Sequence, residues 1–169
     1  SKRLREPIDH QRLLSIVKEK FVNVTRRAKY ILIRLDSGVV LLIHLGMSGN
    51  LLLRKPGLKH DHIVFHLNNG QPLVFNDPRR FGMLIVIEKD KENLCTYLSH
   101  LGVEPLTAKF NRQYLLRACQ GKTRPIKNII MDSSIVVGIG NIYANEALFR
   151  ANINPYTPAQ DIVLAKLIE

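Results

Sequence analysis

Residues 124–154 read RPIKNIIMDSSIVVGIGNIYANEALFRANIN, and this stretch decides the fold of the second half of the chain. Pro125 suits the first turn of a helix, where the missing N–H of proline leaves no hydrogen bond unmade. Isoleucines then recur at helical spacing at positions 126, 129 and 130. The connector 135–140 is apolar and holds two glycines. The stretch therefore predicts two helices joined by a glycine-bearing turn.

Asn141 is predicted to cap the second of these helices, which runs towards Pro155. Its predicted buried positions are Ile142, Ala144, Ala147 and Leu148. Such a pair of helices presents backbone N–H groups and a helix N-terminus, a favourable site for an anion such as a DNA phosphate. The Gly-x-Gly spacing alone leaves a second interpretation open, a tight connector between packed helices that binds nothing.

The overall charge of the chain predicts a polyanionic partner. Its 169 residues include 25 Lys and Arg against 14 Asp and Glu, a formal net charge of +11. These cations are spread along the sequence, which favours a folded basic face and nucleic acid before membrane. No apolar run approaches the roughly 20 residues of a membrane span, and no secretory signal opens the chain. Cys95 and Cys119 lie far apart, so we expect reduced thiols in a cytoplasmic protein and no metal site.

The first part of the chain alternates apolar and polar residues with the period of β-strands. Strands are predicted around 22–24, 30–35, 39–45, 50–53, 62–67, 73–76 and 83–88, separated by turn residues. After Pro105 the pattern becomes helical, with segments at 111–118 and 157–168 beside the two helices above. The predicted fold class is α+β. Residues 1–106 form an antiparallel β-sandwich, and residues 107–169 form a helical domain.

Several strings, taken together in their order, carry a family resemblance. They are RRAKY at 26–30, HLGMSG at 44–49, HDH at 60–62, DPRRFG at 77–82, LGVEPL at 101–106 and VGIGNIYANEALFRA at 137–151. The chain closely resembles the formamidopyrimidine-DNA glycosylases, rather than their endonuclease VIII relatives. In that family the last string belongs to a helix–two-turn–helix that clamps the DNA backbone beside a damaged base.

The resemblance implies that three side chains fill the gap left by a flipped nucleotide. A glycosylase swings its target base out of the stack, and an apolar wedge prevents the base from falling back. Met47 and Phe81 match the family's wedges, and Arg79 matches the arginine that hydrogen-bonds the widowed base. Without the resemblance, Met47 and Phe81 would more often be core residues.

The resemblance also implies residues that contact the DNA. Lys29 matches a lysine at the reaction centre, involved in strand cleavage and in binding the phosphate beside the lesion. His60, Lys122, Lys127 and Asn141 match residues that bind DNA, the last three through phosphates. Ordinary structural interpretations stay open for these residues. Lys29 would be an exposed lysine on a strand, His60 a half-exposed residue that opens a strand, and Asn141 a plain helix cap. The remaining histidines of these strings, His44 and His62, are interpreted as structural.

Two family features are not found in these 169 residues. Relatives begin with Pro-Glu, whose proline amine attacks the sugar C1′ while the glutamate acts as acid; this chain begins with Ser1 and holds no Pro-Glu pair. A zinc ribbon ends the relatives, so we expect zinc there and no cofactor in this chain. We therefore expect an N-terminal segment and the ribbon to be missing, and we expect the chain alone not to excise a base.

Three functions compete at this point. The first is a fragment of a bifunctional DNA glycosylase and AP lyase that removes oxidised purines such as 8-oxoguanine and formamidopyrimidines in base-excision repair. The second is a module that binds damaged DNA without chemistry. The third is a structural RNA-binding protein, against which the wedge residues argue. For the first two, the expected partner of a monomeric chain is double-stranded DNA with an oxidised base or an abasic site.

Overall fold

The structure is a computed structural model that describes residues 4–162. The chain divides between Cys95 and Thr96 into two compact units. The first unit is built of antiparallel β-strands, and the second is helical, so the predicted α+β class is confirmed. No helix in residues 4–162 is long and apolar enough to cross a membrane.

The first unit begins with a short helix, α1 (His10–Ser15), which Asp9 caps by accepting a hydrogen bond from the backbone N–H of Arg12. Seven strands follow: β1 (Phe21–Arg27), β2 (Tyr30–Leu35), β3 (Val40–His44), β4 (Asn50–Leu53), β5 (Asp61–His66), β6 (Pro72–Asn76) and β7 (Met83–Ile87). Every strand predicted from the sequence is present, with ends that differ by at most three residues.

The strands form two antiparallel sheets. Their orders are β1-β2-β3-β7 and β4-β6-β5. Buried apolar residues from both sheets, among them Ile43 of β3 and Phe75 of β6, pack into one core. In β3 the residues Val40 to Ile43 are all fully buried, and Leu41 and Ile43 belong to this core. This packing is the β-sandwich that the alternation predicts.

The second unit is built around three helices, α2 (Arg112–Cys119), α3 (Ile126–Ile130) and α4 (Asn141–Arg150). Asn111 caps α2 by accepting the backbone N–H of Tyr114. The three predicted isoleucines of α3 are buried against α2 and α4 in a single core. A helical pair with a glycine-bearing connector is therefore what the stretch 124–154 forms.

The division between the units differs from the predicted boundary after residue 106. Residues 96–106 lie in the helical unit because Gly102 and Val103 are hydrogen-bonded to it. The Gly102 N–H donates to the Ser133 carbonyl at 2.8 Å, and the Val137 N–H donates to the Val103 carbonyl at 2.9 Å. A Cβ on Gly102 would lie 2.2 Å from the Ile135 carbonyl oxygen, so this approach requires glycine.

Three predictions about the helices are corrected. Gly140, not Asn141, is the N-cap of α4, and Asn141 is its first helical residue. Of the four residues predicted to be buried on α4, Ala144 and Leu148 are buried, whereas Ala147 is exposed and Ile142 is 77% exposed. Within the predicted helix 157–168, the described residues form a 3₁₀ turn at Ala159–Asp161, after which Ile162 is extended. Residues from 163 onward lie outside the described part.

Candidate nucleic-acid interface

Met47 stands at the tip of a tight turn that joins β3 to β4. The Gly49 N–H donates to the Leu45 carbonyl at 2.9 Å and closes the turn. Gly46 has φ +67°, and a Cβ on Gly49 would lie 2.1 Å from the Leu45 oxygen, so both glycines are required by the backbone. The Met47 side chain is 71% exposed. The core interpretation of this residue is therefore wrong.

Arg79 and Phe81 stand on a second turn, at residues 77–82, which joins β6 to β7. Arg79 is exposed and Phe81 is 49% exposed. The Arg79 guanidinium carbon lies 5.0 Å from the centre of the Phe81 ring, a cation–π contact. Arg80 between them has φ +61°, a strained conformation for a residue with a side chain. An aromatic ring and an arginine are thus presented together to solvent.

The two turns abut, so the three predicted void-filling residues lie on one edge of the sandwich. A Cβ on Gly46 would lie 2.7 Å from the carbonyl carbon of Phe81. The Arg79 N–H donates to the Ser48 hydroxyl at 3.2 Å. Large apolar side chains on adjoining turn tips, with a guanidinium beside them, suit insertion between the bases of a duplex.

A carboxylate lies beneath both turns. Asp77 is fully buried and accepts hydrogen bonds from Ser48 Oγ at 2.6 Å, from the Gly82 N–H at 2.7 Å and from the Arg79 N–H at 3.2 Å. Burial raises the pKa of the Asp77 carboxyl, but these hydrogen bonds outweigh it and hold the pKa below its ordinary value. The carboxylate therefore stays ionised at neutral pH.

Lys29 lies in the two-residue turn between β1 and β2, not on a strand. Ala28, the other turn residue, has φ +54°, and its carbonyl accepts a hydrogen bond from Arg26 Nη1 at 2.9 Å. The Lys29 side chain is exposed. The next residue, Tyr30, pairs with His44 across β2 and β3. Lys29 therefore lies at the end of the sheet from which the Met47 turn departs.

His44 connects this end of the sheet to the turns. Its Nδ1 accepts the Gly46 N–H at 3.0 Å. Burial lowers the pKa of the His44 imidazole, and the positive charges of Arg5 and Lys29 lower it further, so the ring is neutral at pH 7. The other histidine interpreted as structural, His62, donates from Nε2 to the Asp77 carbonyl at 2.8 Å. Both rings hold the backbone of the wedge turns.

His60 is half-buried and stands just before β5. Its carbonyl accepts the Asp77 N–H at 3.1 Å, which places it beside the start of the 77–82 turn. The preceding loop is held by Asp61, whose carboxylate accepts from Arg54 and from the N–H groups of Gly57 and Leu58. The Arg54 hydrogen bond is the main reason that the pKa of Asp61 lies far below its ordinary value.

Lys127 and Asn141 meet in the helical unit around a cavity of about 300 Å³. Its lining residues are Pro125, Lys127, Asn128, Met131, Asn141, Pro155 and Tyr156. Asn141 is at the first turn of α4, where unpaired backbone N–H groups and the helix dipole favour a negative charge. An ammonium, an amide and a helix N-terminus around one cavity form a site that suits a phosphate.

Lys122 is not among the described residues that line this cavity. Its side chain is exposed just after α2, and its carbonyl accepts the Gln160 N–H at 3.1 Å. Of the three predicted phosphate-binding residues of this unit, Lys127 and Asn141 share the cavity, and Lys122 lies elsewhere. Within residues 4–162, no cluster of three or more His, Cys, Asp or Glu side chains could hold a metal ion.

The segment between α3 and α4 is held by Asp132. Its carboxylate accepts from Ser134 Oγ at 2.6 Å, from the Ser134 N–H at 2.9 Å and from Arg124 Nη2 at 2.8 Å. These hydrogen bonds, first that of Ser134, lower the pKa of Asp132 to about 2. The side chain is only 26% exposed, so solvent screens these contacts in part.

We expect Asp132→Asn to lower the free energy of unfolding at pH 7 by on the order of 2 kcal/mol. Because the folded pKa is depressed, this stability is complete above the ordinary value of 3.8 and is lost as the pH falls through about 2. Urea unfolding of both proteins should show the difference shrinking between pH 4 and pH 2. Asp161→Asn, at an exposed carboxylate, is the control. A difference that does not change with pH would contradict the assignment.

No pattern in the sequence marks Asp77, Ser48 or Tyr156 as functional residues. Asp77 opens the DPRRFG string, but an aspartate before a proline is an ordinary turn residue, and only Arg79 and Phe81 received roles. Tyr156 is 81% exposed at the rim of the Lys127 cavity, and no motif marked it. A small hydroxyl residue at a turn tip, such as Ser48, carries no sequence signal of its own.

Two sequence profiles match the chain, one on each side of the division between the units. The formamidopyrimidine-DNA glycosylase N-terminal domain matches residues 1–84. The formamidopyrimidine-DNA glycosylase H2TH domain matches residues 101–168. Together the two matches account for nearly the whole chain, and they come from the same family.

Individual proteins agree with these profiles. The chain is 54% identical over 142 residues to a formamidopyrimidine-DNA glycosylase of Legionella pneumophila. The aligned region covers 82% of this chain and 51% of that protein. The MutM (Fpg) protein of Thermus thermophilus has the same fold with a TM-score of 0.80 at 36% identity, over 88% of this chain and 55% of that one. A third relative is Lactococcus lactis Fpg in a structure bound non-covalently to DNA that contains an AP site. Its TM-score is 0.82 at 26% identity, and the match covers 88% of this chain and 58% of that one.

The chain spans about half the length of the Legionella relative. Over the part that is shared, the two profiles, the relatives and the described geometry agree in both units. The chain belongs to the formamidopyrimidine-DNA glycosylase family.

Proposed function

We propose that the chain is the damage-recognising part of a base-excision repair enzyme, a bifunctional DNA glycosylase and AP lyase that acts on oxidised purines. The observation that supports this most strongly is the pair of abutting turns. They expose Met47 and Phe81 while a buried carboxylate holds the backbone between them. Exposed apolar side chains on rigid turn tips have no use in a protein that only contacts the outside of a duplex.

In the proposed complex these side chains occupy the space of the extruded nucleotide. Extrusion costs a few kcal/mol of stacking and pairing, which an apolar wedge recovers in part. Phe81 stacks against the neighbouring base step, and Met47 fills the remainder because its thioether chain adapts to irregular space. Arg79, held over the Phe81 ring, donates to the base that has lost its partner.

The helical unit supplies the grip on the backbone. Lys127 and Asn141 bind a phosphate at their shared cavity, with the N-terminus of α4 adding its dipole. Lys122 binds a phosphate at a separate place, and His60 of the first unit contacts the DNA. These contacts carry no sequence information, and they position the duplex. The net charge of +11 raises the affinity for any duplex and makes it depend on salt.

The proposed substrates are double-stranded DNA with an abasic site or with an oxidised purine such as 8-oxoguanine or a formamidopyrimidine. The support is family membership and the Lactococcus lactis protein, whose complexes contain an AP site or Fapy-dG.

Lys29 is the proposed reaction-centre amine of this chain. We assign no cofactor to these residues, and we propose a monomer that acts in the bacterial cytoplasm, as the bacterial relatives suggest.

The phosphate contacts are tested by the salt dependence of binding. For the unmodified chain, log K should fall linearly with log salt, with a slope of about −0.9 for each phosphate neutralised. Lys127→Ala should weaken binding to every sequence alike and make the slope shallower by roughly one unit. Fluorescence anisotropy on a labelled duplex, from about 50 to 200 mM salt, measures both.

Lys109→Ala is the matched control, because Lys109 is an exposed lysine of the same unit away from the cavity. We expect it to change the slope by less than Lys127→Ala does. Equal slopes for the unmodified chain and Lys127→Ala would show that Lys127 does not touch a phosphate.

A module that binds damaged DNA without chemistry is the second candidate. The wedge turns and the cavity at Lys127 and Asn141 support this candidate as well, because both concern binding alone. Both candidates use the wedge and the backbone contacts in the same way. They differ in whether an amine of this chain attacks the sugar.

A further inference from the structure

We propose that Asp77 is a positioning residue that holds the Met47 turn and the Arg79–Phe81 turn together as one rigid wedge. The inference rests on the proposed function, because it concerns how that wedge is kept in shape for damaged DNA. Asp77 itself touches no DNA in this account. It acts through the backbone that carries Met47, Arg79 and Phe81.

The hydrogen bonds of Asp77 reach both turns. Oδ1 accepts from Ser48 Oγ, one residue after Met47, at 2.6 Å, and from the Arg79 N–H at 3.2 Å. Oδ2 accepts from the Gly82 N–H, one residue after Phe81, at 2.7 Å. Each wedge side chain is therefore on, or next to, a residue that the carboxylate binds.

The site is closed around this carboxylate. Asp77 is the one buried polar or charged residue among residues 4–162, with no exposed surface. A Cβ on Gly82 would lie 2.7 Å from Phe75 Cζ and 3.0 Å from Asp77 Oδ2, so no larger residue fits there. The carboxylate is thus fixed between the core ring of Phe75 and the two turns.

The choice of an aspartate indicates a positioning role. Its described hydrogen bonds all come from neutral donors, a hydroxyl and backbone N–H groups. Burying an ionised carboxylate without a cation is costly, and an apolar residue would stabilise a core better. What the carboxylate supplies is acceptor capacity on two oxygens at once, which donors on two separate turns require.

An amide reproduces only part of these hydrogen bonds. In Asp77→Asn one oxygen becomes an NH₂ group, which facing Gly82 meets a buried N–H as a second donor. Facing Ser48, it can donate to the hydroxyl, but it takes away the oxygen that accepts from Ser48 Oγ and from the Arg79 N–H. Either orientation removes a hydrogen bond between Asp77 and a wedge turn, so the turns must shift. Met47 and Phe81 would lose their fixed orientation while the sandwich core, which lies on the other side of the turns, remains.

The experiment compares the unmodified chain, Asp77→Asn, Ser48→Ala and the control Asp36→Asn. Asp36 accepts the Lys20 N–H at the other end of β2, so its variant has the same charge change away from the wedge. The readout is the ratio of affinities for an abasic duplex and an undamaged duplex. Asp77→Asn should lower this preference about tenfold, and Ser48→Ala less, since it removes only one donor. Asp36→Asn should leave the preference unchanged.

A second arm separates positioning from stability. Asp77→Asn is placed in a Met47→Ala/Arg79→Ala/Phe81→Ala background, where no void-filling side chain remains to be positioned. We expect it to lower the preference no further there, because residues that act as one unit are not additive. If Asp77→Asn unfolds the chain, as circular dichroism would show, Ser48→Ala carries the same test alone and in that background.

The outcomes distinguish this inference from the proposed function. If the wedge variants lower the preference and neither Asp77→Asn nor Ser48→Ala does, the positioning role is refuted and the proposed function stands. A further loss in the background lacking the wedge would also refute it. If the wedge variants themselves change nothing, both the positioning role and the wedge function fall together.

Discussion

A polypeptide of these 169 residues should form a borohydride-stable adduct with an abasic duplex and should release no base from an 8-oxoguanine duplex. The two substrates demand different chemistry. At an abasic site C1′ is already an aldehyde in its open form, so an unprotonated amine can add to it. Loss of water then gives an imine, and hydride from borohydride reduces the imine carbon to a stable secondary amine.

Base release is the harder step. It breaks the bond between C1′ and the base while an amine attacks, and it needs an acid that protonates the leaving group. These 169 residues hold no Pro-Glu pair, and Lys29 stands in an exposed turn with no carboxylate among its described contacts. We therefore expect adduct formation that is slow and confined to the abasic duplex.

Lys29→Ala should abolish the adduct. Lys20→Ala is the control, because Lys20 is an exposed lysine beyond the other end of β2, beside Asp36. Gel electrophoresis of labelled duplex after borohydride measures the adduct, and base release is followed by chromatography. Release of 8-oxoguanine by the unmodified chain would contradict the chemistry above. An adduct that persists in Lys29→Ala would assign the amine to another residue.

The double variant Met47→Ala/Phe81→Ala should lose most of the preference for an abasic duplex. Filling the gap beside a missing base recovers stacking of a few kcal/mol, so we expect a loss of about 30-fold in that preference. Affinity for the undamaged duplex should change little, because neither side chain contributes charge. Competition anisotropy with the two duplexes measures both quantities.

Val24→Ala is a matched control for this experiment. Val24 is 62% exposed on β1 of the same unit, so its truncation also removes exposed apolar surface. We expect the control to keep the preference of the unmodified chain. A double variant that behaves like Val24→Ala would mean that Met47 and Phe81 do not enter the duplex.

Much of the fold could be predicted because its signals are local. Strands β2 to β7 are short, mostly apolar runs bounded by turn residues, a pattern that is typical of strands. Residues 124–154 combine helical spacing with a glycine connector, which is what α3 and α4 form. The wedge residues were found only through the family resemblance, since an exposed Met or Phe looks in sequence like a core residue.

The errors come from tertiary contacts that no local pattern shows. Ile142 fits the apolar spacing of α4 and is nevertheless 77% exposed, because the core side of that helix is the one that carries Ala144 and Leu148. Asn141 is a good cap by type, but the extended backbone that precedes the helix ends at Gly140. Lys29 lies in a turn because β1 and β2 pair with Arg27 opposite Tyr30.

Asp77 shows the same limit at the site itself. Its contacts join residues 48, 77, 79 and 82, and the partner at 48 lies on another turn. Only the pairing of β3 with β7 and of β4 with β6 brings these turns to one edge. A positioning residue of this kind is visible only once the sheets are built.

The most direct test of the central claim is a competition experiment with the unmodified chain alone. Two duplexes of the same length and sequence, one with a single abasic site and one undamaged, compete for the chain at fixed salt. If Met47, Arg79 and Phe81 fill a vacated base position, the abasic duplex should bind at least about 30-fold more tightly. Equal affinities for the two duplexes would contradict the account, since backbone contacts alone make no such distinction.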